Sequence, residues 1–89
     1  MNILIELRKD SIIIWLKSRK RTMDKLEWRE NLNLSQKLLL KIDKILVANN
    51  LTPSDISSVS VESNISDNLT TVRIAEIVAK SFNYYRAVN

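Results

Sequence analysis

The chain has 89 residues, with 45% hydrophobic residues, a net charge of +4, and no glycine, cysteine or histidine. That length allows one small domain, and that apolar content argues against disorder. Disulfides and Cys/His zinc sites are excluded, and so are a catalytic thiolate or imidazole. The absence of glycine excludes a P-loop or a dinucleotide fingerprint, because such loops need positive φ angles and close approach of backbone N–H groups to phosphate.

The chain begins with strand spacing: Ile3, Ile5 and Leu7 alternate with Leu4 and Glu6. A polar turn, Arg8–Ser11, leads into the β-branched and aromatic run Ile12–Leu16, which predicts a strand buried on both faces or nearly so. Lys17–Arg21 reads as a charged hairpin loop. From Thr22 to Arg29 alternation returns, with Leu26 and Trp28 on one side and Lys25, Glu27 and Arg29 on the other. Three strands joined by short turns make an antiparallel meander.

The period then changes. Leu38, Ile42, Ile45 and Leu46 recur at helical spacing between Leu34 and Ala48, with Leu39 alongside. Asn33 or Ser35 can cap the start, and Asn49-Asn50 suits the left-handed position after the helix. Thr52-Pro53-Ser54-Asp55 carries an N-cap, a proline at the first helical position and an acid three residues after the cap. Ser58–Val61 alternates as a fourth strand, Glu62–Asn68 is a polar loop, and a last helix runs from about Leu69 to Tyr84 with Val72, Ala75, Ala79 and Phe82 on one stripe.

With this β-β-β-α-β-α order, three segments resemble the TsaB/YeaZ family, bacterial partners in making the threonylcarbamoyl-adenosine modification of tRNA, within the glycoprotease-like, actin-like ATPase superfamily. Leu34–Leu46 is similar to the family's first helix, Leu51–Ile56 to the link before its fourth strand, and Leu69–Ala75 with Ala79-Lys80 to the start of its second helix. The resemblance spans nearly the whole chain but only the first part of the family's first lobe, so it implies one truncated, degenerate TsaB-like domain over residues 1–89. The implied fold is α/β (α+β), a ribonuclease-H-like, actin-like half-lobe. Its four-stranded mixed sheet has order 3-2-1-4, with strand four parallel to strand one through a right-handed crossover and two helices on one face.

Departures from the family pattern bear on activity. The positions of the family's Asp-Thr-Ser type loop fall at about Leu7–Lys9, the family histidine is Leu34, and its glycine-rich loop has become Glu62–Asn68. The two acids there would repel phosphate. No cofactor is expected and no metal cage is suggested, since Asp10, Asp24, Asp43, Asp55 and Asp67 lie in different elements. The chain is expected not to be an enzyme. Family members of this type are regarded as scaffolds for a paralogous ATP-binding subunit and dock through the same two helices.

The expected protein interface is therefore Leu38, Leu39, Ile42, Ile45, Leu69, Val72, Ala75, Ile77, Ala79 and Phe82. The apolar residues of the first helix span more circumference than one sheet contact covers, and Ala75 and Ala79 permit close helix approach. The opposing reading packs all of them on the sheet. The expected partner is a second copy or an ATP-binding TsaD-like paralogue. A second function is a basic nucleic-acid-binding domain using Lys17, Arg19, Lys20 and Arg21; a solvated turn is the plainer reading of that cluster. A third is a remnant of structural value only. Arg73 can pair with Glu76, and Tyr84-Tyr85 can cover the core edge. Leu4, Ile13, Trp15 and Met23 are expected to be partly exposed on the other sheet face, a further contact surface. No secretory leader or membrane span fits, which makes the cytoplasm the default location.

Overall fold

A computed structural model describes residues 1–8, 11–19, 21–29, 34–63 and 69–88; the side chains of 34, 35, 69–71 and 84–88 are outside that description. The elements are β1 (Asn2–Leu7), β2 (Ile12–Ser18), β3 (Arg21–Trp28), α1 (Leu34–Ala48), a 3₁₀ turn (Pro53–Asp55), β4 (Ser58–Ser63) and α2 (Leu69–Val88). The sheet order is β3-β2-β1-β4. β1–β2 and β2–β3 are antiparallel, and β1–β4 is parallel with Ile3 beside Val59 and Ile5 beside Val61.

The two-residue period of β1 and β2 sends Ile3, Ile5, Leu7, Ile12, Ile14 and Leu16 to one face, where all six are buried. Leu38, Ile42, Ile45 and Leu46 of α1 close over them with Ala75, Val78 and Ala79 of α2. Among the described residues no polar or charged side chain is buried in this core. Apolar burial is thus its main driving force.

The ends of α1 and β4 have specific locks. Asn50 has φ 58°, the left-handed conformation expected of it. Its N–H bonds the Val47 carbonyl at 3.1 Å, and the Leu51 N–H bonds the Leu46 carbonyl at 2.9 Å. These are the paired bonds of a Schellman motif. Asn49 Nδ2 donates to the Ile45 carbonyl (2.7 Å) and to Asp24 Oδ2 (3.0 Å), tying the helix end to β3. The Thr52 N–H donates to Asp55 Oδ2 at 2.8 Å, the reciprocal bond of the cap read from the sequence. At β4, Asn83 of α2 accepts from the Val59 N–H (3.0 Å) and donates to the Val59 carbonyl (3.1 Å), taking the place of a neighbouring strand on that edge.

The structure corrects several expectations. Lys17 and Ser18 belong to β2 and Arg21 to β3, so the hairpin turn is shorter than read. β3 bulges at Met23, because Leu16 pairs with Asp24 and Lys17 with Thr22. β4 continues through Glu62 and Ser63, and α2 runs on to Val88. Ile13 is 1% exposed rather than partly open. Its register partners are Glu6 and Glu27, and long side chains on that face lie over it. Leu4 and Trp15 are half-buried and Met23 is exposed, as expected. Asn33, the Ser35 side chain, Lys9 and residues 64–68 lie outside the described residues.

Candidate protein-docking surface

The expected interface divides in two. Leu38, Ile42, Ile45, Ala75 and Ala79 are at most 5% exposed and belong to the chain's own core, with Ile42 also at the floor of a groove between the helices. Ala75 and Ala79 do permit close packing, but inside this chain. Val72 and Phe82 are half-buried against the same core, and the Leu69 side chain is outside the described residues.

The remaining apolar surface is on the outer sides of the helices. Leu39 is 52% exposed, Leu40 67%, Val47 65% and Ile77 62%. The width of the α1 stripe has this cause: the sheet and α2 cover one side, and the aliphatic residues beyond that side stay in water. Leu40 and Val47, absent from the expected interface, are as open as Leu39. A shallow groove of about 380 Å³ runs between the helices, lined by Leu39, Ile42, Asp43, Leu46, Pro53, Ser81 and Phe82.

Part of the basic hairpin packs beside the open sheet face. Lys17 Nζ lies 5.8 Å from the centre of the Trp15 ring, with Lys25 Nζ at 5.4 Å. Both ammonium groups stand within cation–π range of the indole. Arg19, at φ 55°, and Arg21 are exposed, and Lys20 is outside the described residues.

On the open sheet face, Trp15 Nε1 donates to Glu6 Oε1 at 2.8 Å, and Arg8 Nε donates to Glu6 Oε2 at 2.6 Å. The Arg8 bond first, then the Trp15 bond, hold the Glu6 carboxyl below its ordinary range against a smaller opposing cost of burial. Among the described residues, no cluster of three acids could hold a metal ion, and no helix is long and apolar enough to cross a membrane. Arg73 and Glu76 are both exposed.

A half-lobe of this kind, a four-stranded mixed sheet with two helices packed on one face, is the fold seen in part of a larger known protein. The chain has the YeaZ-like fold. It matches YeaZ from Pseudomonas aeruginosa with a TM-score of 0.75 at 18% identity, over 98% of this chain and 41% of that one. A second structure, described as an uncharacterised protein similar to peptidase YeaZ from Pseudomonas aeruginosa, gives 0.76 at 18% identity, over 98% and 40%. The chain thus spans about two fifths of the length of these structures. No family model and no curated protein matches the sequence.

Proposed function

We propose that the chain is a non-catalytic docking module whose outer α1–α2 surface binds another protein, as a homodimer or as a heterodimer with an ATP-binding, TsaD-like paralogue in tRNA threonylcarbamoyladenosine modification. The observation that carries this reading is the exposure of Leu39, Leu40, Val47 and Ile77 on the two helices, at 52–67%, with Leu39 lining the groove between them. Four large aliphatic side chains left in water on so small a domain suit a surface that a partner covers. The likeness to YeaZ supports the partner class, and a sequence without glycine, cysteine or histidine supports a role without nucleotide chemistry. A stable contact would bury ~800 Å² on each partner.

Light scattering coupled to size exclusion tests the first form. A mass about twice the 10.3 kDa of one chain is expected, with Leu39→Glu and Ile77→Glu each returning it to the monomer while leaving the far-ultraviolet spectrum unchanged. Co-purification with the paralogue tests the second. A strict monomer at high concentration that also fails to retain the paralogue would end the proposal.

A further inference from the structure

A second feature lies at the other side of α1. The end of β3 and the middle of α1 enclose an open cleft of about 540 Å³, lined by Trp28, Arg29, Lys37, Leu40, Lys41 and Lys44. No acidic side chain among the described residues lines it. Lys37, Lys41 and Lys44 sit at i, i+4 and i+7, on one face of the helix, and span ~10 Å along its axis. Arg29 adds a fourth cation from the strand side.

The floor of this cleft is aromatic and apolar. Lys41 Nζ stands 5.7 Å from the centre of the Trp28 ring. The buried Trp28 Nε1 has no hydrogen-bond partner, a donor left unsatisfied beside the cleft. Arg29, Lys41 and Lys44 around an indole and a leucine suit a ligand that is both polyanionic and flat-ringed. The chain's pI of about 9.6 places the whole domain in the range where a basic stripe along a helix marks a nucleic-acid footprint.

We infer that this cleft binds single-stranded nucleic acid, with Arg29, Lys41 and Lys44 on the phosphates and Trp28 beside a base. Grooves that combine backbone-tracking cations with an aromatic platform bind single strands in this way. The site differs from the Lys17–Arg21 hairpin, which lies at the opposite end of β3, roughly 23 Å away along the strand. It shares Leu40 with the docking surface, but neither Leu39 nor Ile77, the two positions substituted to test docking, lines it.

The test is a fluorescence-anisotropy titration of labelled oligo-uridine and oligo-thymidine against the full chain, repeated across salt concentrations. The two strands separate RNA from DNA, and binding of either supports the cleft. If Arg29, Lys41 and Lys44 each neutralise one phosphate, affinity falls about twentyfold between 50 and 200 mM salt. In the Lys41→Gln/Lys44→Gln variant the same change shrinks to about threefold, because two of the three phosphate contacts are gone. Arg19→Gln/Arg21→Gln should leave the salt dependence at its original value. In a Trp15→Phe background, emission from Trp28 should change as the strand binds.

Three results would overturn the inference. One is no binding at 50 mM salt. Another is loss of salt dependence in the hairpin variant with none in the cleft variant. The third is equal affinity for poly-glutamate of matched charge, which would assign the cleft to an acidic protein segment.

Discussion

The two faces of the sheet solve the same problem with different materials. On the helix side, Ile3, Ile5, Leu7, Ile12, Ile14 and Leu16 meet the aliphatic faces of α1 and α2, and among the described residues no polar or charged residue is buried. On the other side, no described element covers Ile13, yet it is just as deeply buried. Its cover is side chains alone: Trp15 tied to Glu6, Glu6 tied to Arg8, and Lys17 and Lys25 lying along the indole. Backbone elements make the first layer and rotamers make the second. A layer of rotamers should yield more easily, because each side chain can settle into a new position when its neighbour shrinks.

That contrast can be broken by a pair of substitutions in adjacent residues of one strand. Ile14→Ala is expected to cost in the upper part of ~2–5 kcal/mol, because the packed helices cannot collapse onto the cavity. Against a total of about 5–15 kcal/mol for a domain, that is enough to leave much of the protein unfolded at moderate urea. Ile13→Ala is expected near ~2 kcal/mol, because Trp15 and the lysines can move in. Urea midpoints of the two variants measure the difference. Equal costs, or a larger cost at Ile13, would mean that the polar layer is as rigid as the helices.

The faces also differ in how far the sequence announced them. Strict alternation in β1, with apolar residues at every position of the Ile12–Leu16 run, marks a central strand whose core-facing residues can be named in advance, and they are the ones buried. The change to helical period locates α1. Asn49-Asn50 locates its end, because asparagine tolerates a positive φ where glycine is absent.

Periodicity does not say where a neighbour stops. Leu38 and Leu39 are adjacent and equally apolar, but one is inside and the other half in water, since that depends on where the sheet and α2 sit. Ile13 was read as partly exposed because alternation cannot foresee how far the side chains around it on the open face, Glu6 and Glu27 across the sheet and Trp15 along the strand, shield it. The basic cleft was hidden for a related reason. Trp28 and Arg29 belong to one element and its end, and the three lysines to the next, and only packing brings them together. The Met23 bulge left no mark that alternation could detect.

The smallest expected effect is also the most specific to the polar layer. Glu6 has a lower pKa when folded than its ordinary value of 4.5 because it accepts bonds from Arg8 and Trp15. The unfolded chain therefore binds more protons than the folded one in the acid range, and stability rises with pH there. The contribution is complete above the ordinary carboxylate range and fades as pH falls through the depressed folded value. Glu6→Gln should thus lower the urea midpoint at pH 7 and have progressively less effect below pH 4.5. Trp15→Phe removes one of the two bonds and should carry part of the same pH dependence, in addition to a packing loss that does not vary with pH. Ile14→Ala, on the other face, should shift the midpoint by the same amount at both ends of the range. If Glu6→Gln were as costly at pH 3 as at pH 7, the carboxylate would not be what holds the indole down, and the layer over Ile13 would owe its order to apolar packing of the Trp15 ring instead.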